Sequence, residues 1–486
     1  MTRAYATLPP VTDARPPLSA RGDLDAPSFS VDELVAATGG HLLQRSDRLV
    51  RGAAVDSREI AEGQAFIALP GERTDGHSYL AEAVAAGAAA LIVTRPPVDP
   101  RALGDVTIIR VGEGIRALQG MATRWRARFT PLVVGITGSI AKTSTKEAIS
   151  TVLARRLTIL RNPGNQNNEI GLPLTLLRLG PEHEAAVLEM GMYAGGEIAD
   201  LARIARPRIG VVTAIQAVHL SRLGSIEAIA AAKAELVEAL PGDGTAVLNA
   251  DDPRTLRLAG RTAADIVTYG FSAAADVRAE DVVSAGFDGM RFTLAIGIQR
   301  LPASVPTLGR MSVHNGLAAA AVAWAAGLSG DAIVEGLALG WTTPHRGSVV
   351  RLRDVTVIDD SYNASPGSVT AALDMLAGLP GRRVVVLGEM LELGAEHELG
   401  HRQVGAAAAT IADLLIVVGE GAEDIALGAA GNGLPSARIL RVSNAEEALD
   451  VLVPRVRSGD VVLVKASRGV ALDRLVVGLR DALGPA

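Results

Sequence analysis

Gly135-Ile136-Thr137-Gly138-Ser139-Ile140-Ala141-Lys142-Thr143-Ser144 is the stretch that decides the fold. It lies between a β-branched run, Leu132 to Ile136, and a helix-like stretch reaching about Arg155, where Ala148, Ile149, Val152 and Leu153 fall on one face. At such a strand–turn–helix corner, the turn N–H groups of Gly138, Ser139 and Ala141 and the helix N-terminus at Ser144 can cradle phosphate. Lys142 can reach a terminal phosphate and the Thr143 hydroxyl can bind Mg2+. The strict phosphate-loop pattern would place glycine at 136 and 141, where this chain has Ile136 and Ala141. A positive φ at 141 would strain alanine by about 1 kcal/mol, whereas a helical φ would accept it. An ordinary corner with a solvated lysine has the same spacing, so both readings stay open.

Working outward, β runs at Ala185 to Leu188, Ile209 to Val212 and Ala246 to Leu248 are each followed by helical sequence. That alternation predicts a parallel sheet. Glu189 stands immediately after the first of these runs, at a strand carboxyl end, where open α/β sheets bind ligands. A carboxylate there can face the phosphate loop and hold Mg2+. His219 follows the next strand in the same way; a structural histidine fits its position as well.

On the predicted helix Ser225 to Leu240, Lys233 stands four residues from both Ile229 and Val237, on the apolar stripe, and so points inward. Two readings are open. The side chain can snorkel or pair with an acid. Alternatively, desolvation lowers its pKa, and the neutral amine adds carbon dioxide to become a carbamate, which would be a Mg2+ ligand.

Further out, apolar runs at Ala65 to Leu69, Ala89 to Val93 and Val106 to Val111 alternate with Ala-rich helical stretches, and a polar turn, Gly71 to Gly76, marks a surface loop. Beyond Arg346, runs at Val355 to Ile358, Arg383 to Leu387, Leu414 to Val418, Ile439 to Val442 and Val461 to Val464 are separated by helical patterns, as in a doubly wound fold. The expected architecture is therefore α/β in three domains: a small α/β domain at 29–129, a central phosphate-loop domain with a mostly parallel sheet at 130–345, and a Rossmann-like domain at 346–486. Residues 1–28, rich in Pro, Ala and charge and without an apolar segment, are expected to form a disordered tail.

Composition agrees. A chain of 486 residues suggests about three domains. It is 48% apolar but only 3% aromatic, so its cores are built from Ala, Val, Leu and Ile. The absence of cysteine excludes disulfides and thiolate metal sites and fits a reducing, cytoplasmic setting. A net charge of −6 without a basic run gives no nucleic-acid surface. The most apolar helical stretch, Leu317 to Leu328, is well short of the roughly 20 residues a bilayer requires, so no membrane insertion is expected.

Taken in order, these segments resemble the Mur ligase family over nearly all of the chain beyond the tail. The resemblance rests on Asp56-Ser57-Arg58, Gly71 to His77, the loop at 135–146, Gly164 to Pro173, Glu189-Met190-Gly191, His219-Leu220 and Ala232 to Leu236. It continues through Leu248 to Pro253, His314-Asn315, Asp359 to Pro366, Leu387 to Gly394 and Lys465 to Gly469. It implies ATP and Mg2+ as cofactors and, within the family, the type that adds D-alanyl-D-alanine to UDP-N-acetylmuramoyl-tripeptide in cell-wall peptidoglycan synthesis, acting as a monomer.

By resemblance, Lys142 and Thr143 bind the phosphates and Mg2+, Glu189 and His219 bind Mg2+, and Lys233 is carbamylated. Asn315 meets the adenine, Arg346 and Asp360 reach the nucleotide from the third domain, and Asn165, Asn167 and Asn168 line the sugar-peptide site. Ser57 and Arg58, and Tyr362 and Asn363, are the further substrate-binding candidates. The chain departs from the family pattern at Ala141, at Ala214 to Ala217, at Ser221, at Ser365 and at Ala466. The alternatives are another amide ligase of the same fold, such as a diaminopimelate- or lysine-adding ligase or a folylpolyglutamate synthase. From other classes, they are a nucleotide-binding scaffold without turnover and a kinase or phosphohydrolase.

Overall fold

Three β-sheets organise the chain, whose computed structural model describes residues 27–71, 74–216 and 224–485. The expected tail thus lies, except for Pro27 and Ser28, outside the described residues. Ser28 is held: its carbonyl accepts a hydrogen bond of 2.7 Å from Arg128.

The first sheet runs in the order His41–Gln44, Thr107–Arg110, Ala90–Val93, Ala65–Ile67, Ala53–Ala54, parallel except for the antiparallel edge strand His41–Gln44. From it the helix Gly114–Arg126 crosses onto the helices Gly171–Leu176 and Glu197–Ala205 of the second unit. Leu118, Met121, Leu172, Leu176 and Ile198 pack in one apolar cluster, so the first two units share a core. Two polar ties reinforce the seam. The Trp125 indole donates to the Leu179 carbonyl at 2.8 Å, and the buried Arg126 donates to the Ala205 carbonyl at 2.9 Å.

The second sheet has nine strands in the order Gln299–Val305, Met290–Ile296, Val277–Ser284, Asp265–Gly270, Thr245–Asn249, Ile209–Val212, Leu132–Thr137, Ala185–Glu189, Ile159–Arg161. It is parallel up to Val277–Ser284 and closes with an antiparallel hairpin. The expected parallel core is present. The hairpin and the strands Asp265–Gly270 and Ile159–Arg161 are additions to it.

On one face the helix Lys142–Leu153 buries Ala148, Ile149, Val152 and Leu153, the face its spacing predicts, against the helix Arg310–Ala325. That second helix is covered almost all round, and its run Ala318 to Ala321 lets the neighbouring backbones approach closely. Among the described residues no helix is long and apolar enough to cross a membrane.

The third sheet runs Ser348–Leu352, Val355–Asp359, Val461–Lys465, Arg383–Gly388, Leu414–Val418, Ile439–Val442, with an antiparallel first strand and the rest parallel. Separate apolar clusters cover its two faces, as the doubly wound reading requires. The carboxyl ends of strands in the second and third sheets open onto one crevice, where ligands of open α/β sheets bind.

Candidate active site

The crevice has a volume of about 1260 Å³, and its walls come from the phosphate loop, the 165–169 loop, Glu189, Asn315, Arg346, the 360–368 turn, the 391–393 loop and the 465–469 turn. It is large for a single small ligand.

The corner at 135–144 is tightly built. The strand ends at Thr137, and a Cβ on Gly138 would lie 1.9 Å from the Thr213 hydroxyl, so only glycine fits. The loop is zipped to the neighbouring strand end. The Ser139 N–H donates to the Ala214 carbonyl at 2.8 Å, and the Thr213 hydroxyl donates to the Ile140 carbonyl at 2.6 Å. Helix Lys142–Leu153 begins with no side-chain cap, which leaves the N–H groups of its first turn directed at the crevice.

Ala141 caps this helix with φ 65°, in the left-handed region. The strain left open by the sequence is therefore present, roughly 1–2 kcal/mol for a residue with a Cβ. Glycine there would remove that strain but add about 0.5–1 kcal/mol of unfolded-state entropy. Ala141→Gly is expected to stabilise the fold by about 0.5–1 kcal/mol, read as a rise of roughly 1–2 °C in the thermal midpoint. An unchanged or lower midpoint would mean that the alanine is not strained.

The half-buried Lys142 folds back on the loop. Its Nζ donates to the Gly138 carbonyl at 2.7 Å and lies 3.4 Å from that of Ser139. Burial lowers its pKa, the nearby Glu189 counteracts that, and Arg346 lowers it further. Arg346, which stacks 4.1 Å from the centre of the Tyr362 ring, thus reaches the phosphate loop from the third sheet's side.

Lys233 is 4% exposed on the helix Ile226–Glu238, inward as its spacing predicts. It makes no hydrogen bond or ion pair with another described residue. Desolvation first, and then the charge of Lys142, hold its pKa well below that of an ordinary lysine. Burial without a partner among the described residues favours the second reading, in which desolvation stabilises the neutral amine.

Sheet register sets Glu189 opposite Ile136, beside the loop. Its carboxylate is buried. Oε1 accepts from Asn167 at 2.7 Å, while Oε2 is buried without a partner among the described residues. Such an orphan calls for a ligand. With the buried Thr143 nearby on the loop helix, the donor set is hard oxygen, and the described residues hold no cluster of three His, Cys, Asp or Glu. The Thr143 hydroxyl and the Glu189 carboxylate suit Mg2+, a hard cation that takes oxygen ligands.

The remaining candidates divide. Asn165, Asn167 and Asn168 line the crevice, although the Asn168 Oδ1 is taken up in accepting from the Gly171 N–H at 2.9 Å. The Asn315 Oδ1 accepts from the Thr145 hydroxyl at 3.2 Å, which ties the helix Arg310–Ala325 to the loop helix beside the crevice. Asp360 is bound at 2.6 Å by the buried Lys465, whose Nζ also donates to the Asn363 carbonyl at 2.9 Å. Ser139, Ser144 and Tyr362 also face the cavity.

Ser57 and Arg58 do not join them. They lie on a turn of the first unit where Arg58 forks onto Asp56, with its Nε 2.9 Å from the carboxylate, and holds that acid down to about 2. His219 lies outside the described residues.

Sequence reasoning missed the supports. Lys146, one turn beyond Lys142, is fully buried and donates to the Asn162 carbonyl at 2.6 Å. The buried Asn162 side chain in turn brackets the Glu189 backbone, accepting from its N–H at 2.9 Å and donating to its carbonyl at 3.0 Å. The i, i+4 spacing of Lys142 and Lys146 was the available signal.

A capless phosphate cradle beside a buried, half-satisfied carboxylate and two desolvated lysines defines a nucleotide-dependent enzyme site. The chain matches the family models for the Mur ligase family catalytic domain at residues 50–126, the Mur ligase middle domain at 136–323 and the Mur ligase glutamate ligase domain at 345–468. It is 35% identical over 443 residues to the UDP-N-acetylmuramoyl-tripeptide--D-alanyl-D-alanine ligase of Bacillus subtilis, covering 90% of this chain and 95% of that protein. Its fold is similar to the crystal structure of MurF from Acinetobacter baumannii, with a TM-score of 0.85 at 29% identity over 94% of this chain and 99% of that one. The MurF ligase of Thermotoga maritima in complex with ADP gives a TM-score of 0.79 at 30% identity, covering 90% and 99%. The chain belongs to the Mur ligase family.

Proposed function

We propose that this chain joins D-alanyl-D-alanine to UDP-N-acetylmuramoyl-tripeptide with ATP, releasing ADP and phosphate. The observation that carries this reading is the single crevice in which the phosphate loop, Glu189 and the third sheet's strand ends converge. The similarity to dipeptide-adding ligases over most of their length selects the substrates.

In this reading an oxygen of the tripeptide carboxylate attacks the γ-phosphorus, and the bond to the β,γ-bridging oxygen breaks to release ADP. The amine nitrogen of the dipeptide then attacks the acyl carbon of the acyl phosphate. A carbon–nitrogen bond forms, phosphate leaves and the ammonium proton is lost. Lys142 leaves the loop carbonyls to neutralise the transferring phosphoryl group, and the first-turn N–H groups hold the β-phosphate. Thr143 and Glu189, with His219 and a carbamylated Lys233, would hold Mg2+, which when bound supplies charge neutralisation at the phosphates.

Asn315 contacts the adenine, and Arg346 and Asp360 approach the nucleotide from the third unit. Asn165, Asn167 and Asn168 line the acceptor, Ser57 and Arg58 its nucleotide-sugar end, and Tyr362 and Asn363 the dipeptide side. We divide the chain at 129/130 and 345/346, and read it as a cytoplasmic monomer.

Phosphate release measured with UDP-muramyl-tripeptide over a panel of amines tests the assignment. Release should depend on D-alanyl-D-alanine, with the new amide seen by mass spectrometry. Stimulation by a free amino acid in its place would sink it.

A further inference from the structure

The third sheet's strand Arg383–Gly388 ends in the loop Glu389 to Leu393, which supplies Leu391, Glu392 and Leu393 to the crevice wall. This loop is not held by ladder bonds. Its first two free N–H groups go to side chains: Met390 donates to the Nε2 of His401 at 2.9 Å, and Leu391 donates to the Ser467 hydroxyl at 2.9 Å. Glu392 sits in the left-handed region with φ 65°, a strain that persists only where the surroundings over-determine the backbone.

His401 itself is outside the crevice, fully buried on the helix His397–Ala409. Its bonding leaves one tautomer. Nε2 must accept from Met390, so Nδ1 carries the proton and donates to the His397 carbonyl at 2.7 Å. Burial favours this neutral form. The charged or titratable groups around the ring are His397 on its own helix, stacked with ring centres 4.1 Å apart, Glu389 on the loop and Asp424 on the adjoining helix. His397 in turn lies 3.1 Å from the Glu389 carboxylate, fastening the loop's first residue to the same helix turn.

We infer that His401 is a positioning residue for the amine substrate: through Met390 it fixes the 389–393 loop so that Leu391 and Leu393 form an apolar seat for the small side chains of the incoming dipeptide. This rests on the reading that the third unit presents the amine. The seat is placed on the amine side because the loop springs from the third sheet's strand Arg383–Gly388 rather than from the phosphate-loop corner.

The reach of the imidazole sets the test. In His401→Gln the amide oxygen can extend to the Met390 N–H; in His401→Asn a polar amide is kept but stops near the position of Nδ1. KM for D-alanyl-D-alanine, KM for ATP and kcat are measured for the wild type and both variants. The expected result is that His401→Asn raises KM for the dipeptide about tenfold while KM for ATP stays within about twofold, and that His401→Gln remains within about threefold of the wild type throughout. A parallel rise in both KM values, equal damage by Asn and Gln, or no change with Asn would overturn the proposal. If the wild-type enzyme shows no dipeptide-dependent phosphate release, the proposed reaction fails instead, and the two failures are distinct.

Discussion

Lys142→Met is expected to lower kcat by about three orders of magnitude while leaving the fold intact. The ammonium is the one cation placed on the phosphate loop itself, and it already rests on the Gly138 and Ser139 carbonyls, a short swing from the first-turn N–H groups. Removing one preorganised charge from a phosphoryl-transfer site typically costs 10²–10³ in rate, roughly 3–4 kcal/mol of transition-state stabilisation. Methionine fills nearly the same volume, and because burial already works against the charged form of Lys142, losing that charge removes a penalty as well as two hydrogen bonds. ADP formation and the thermal midpoint, measured together, check this. A kcat within tenfold of wild type would show that the lysine does not meet the transferring phosphate.

Glu189→Gln should produce the second large loss, about 10²-fold or more in kcat, together with a higher Mg2+ requirement. The swap keeps the shape and, with the amide oxygen still accepting from Asn167, puts an amide nitrogen, which cannot ligate a cation, in place of the orphaned, buried Oε2. It also deletes the anion that raises the pKa of Lys142, so more of that lysine would be neutral as pH rises toward its depressed value. The activity of the variant should therefore fall off at a lower pH on the alkaline side than that of the wild type. A Mg2+ titration and a pH profile separate the two effects. If neither curve moves, Glu189 is not at the metal.

Much of this was readable from residue order, for reasons that differ by residue. Lys142, Thr143 and Glu189 declare themselves because a strand-to-helix corner and a strand carboxyl end are local patterns, and sheet register then brings them together without further information. Lys233 was legible because a charge on an apolar helical stripe violates the helix period. Ala141 was legible as a problem but not as an answer, since only the backbone could show that φ is 65°.

What escaped are partners distant in the chain. The i, i+4 spacing marks Lys146 but not its partner Asn162, and Asn162 bracketing Glu189 and Lys465 binding Asp360 leave no periodic trace, because each partner lies 16, 27 or 105 residues away. The late strands of the second sheet were missed for another reason. Val277–Ser284 carries a charged stretch and a bulge at its edge, and Gln299–Val305 contains a proline, so neither looks like the continuous apolar run of a buried parallel strand.

The apolar seam between the first and second units has a mechanical meaning. A joint filled with interlocked hydrocarbon from both sides, with Trp125 and Arg126 pegged across it, resists bending, so these two units act as a single rigid jaw. The third unit, whose core clusters cover its own sheet but are also met by Phe287 and Leu308 of the second unit, faces it across the crevice. The crevice is thus walled on one side by a block stiffened from within and on the other by the third unit.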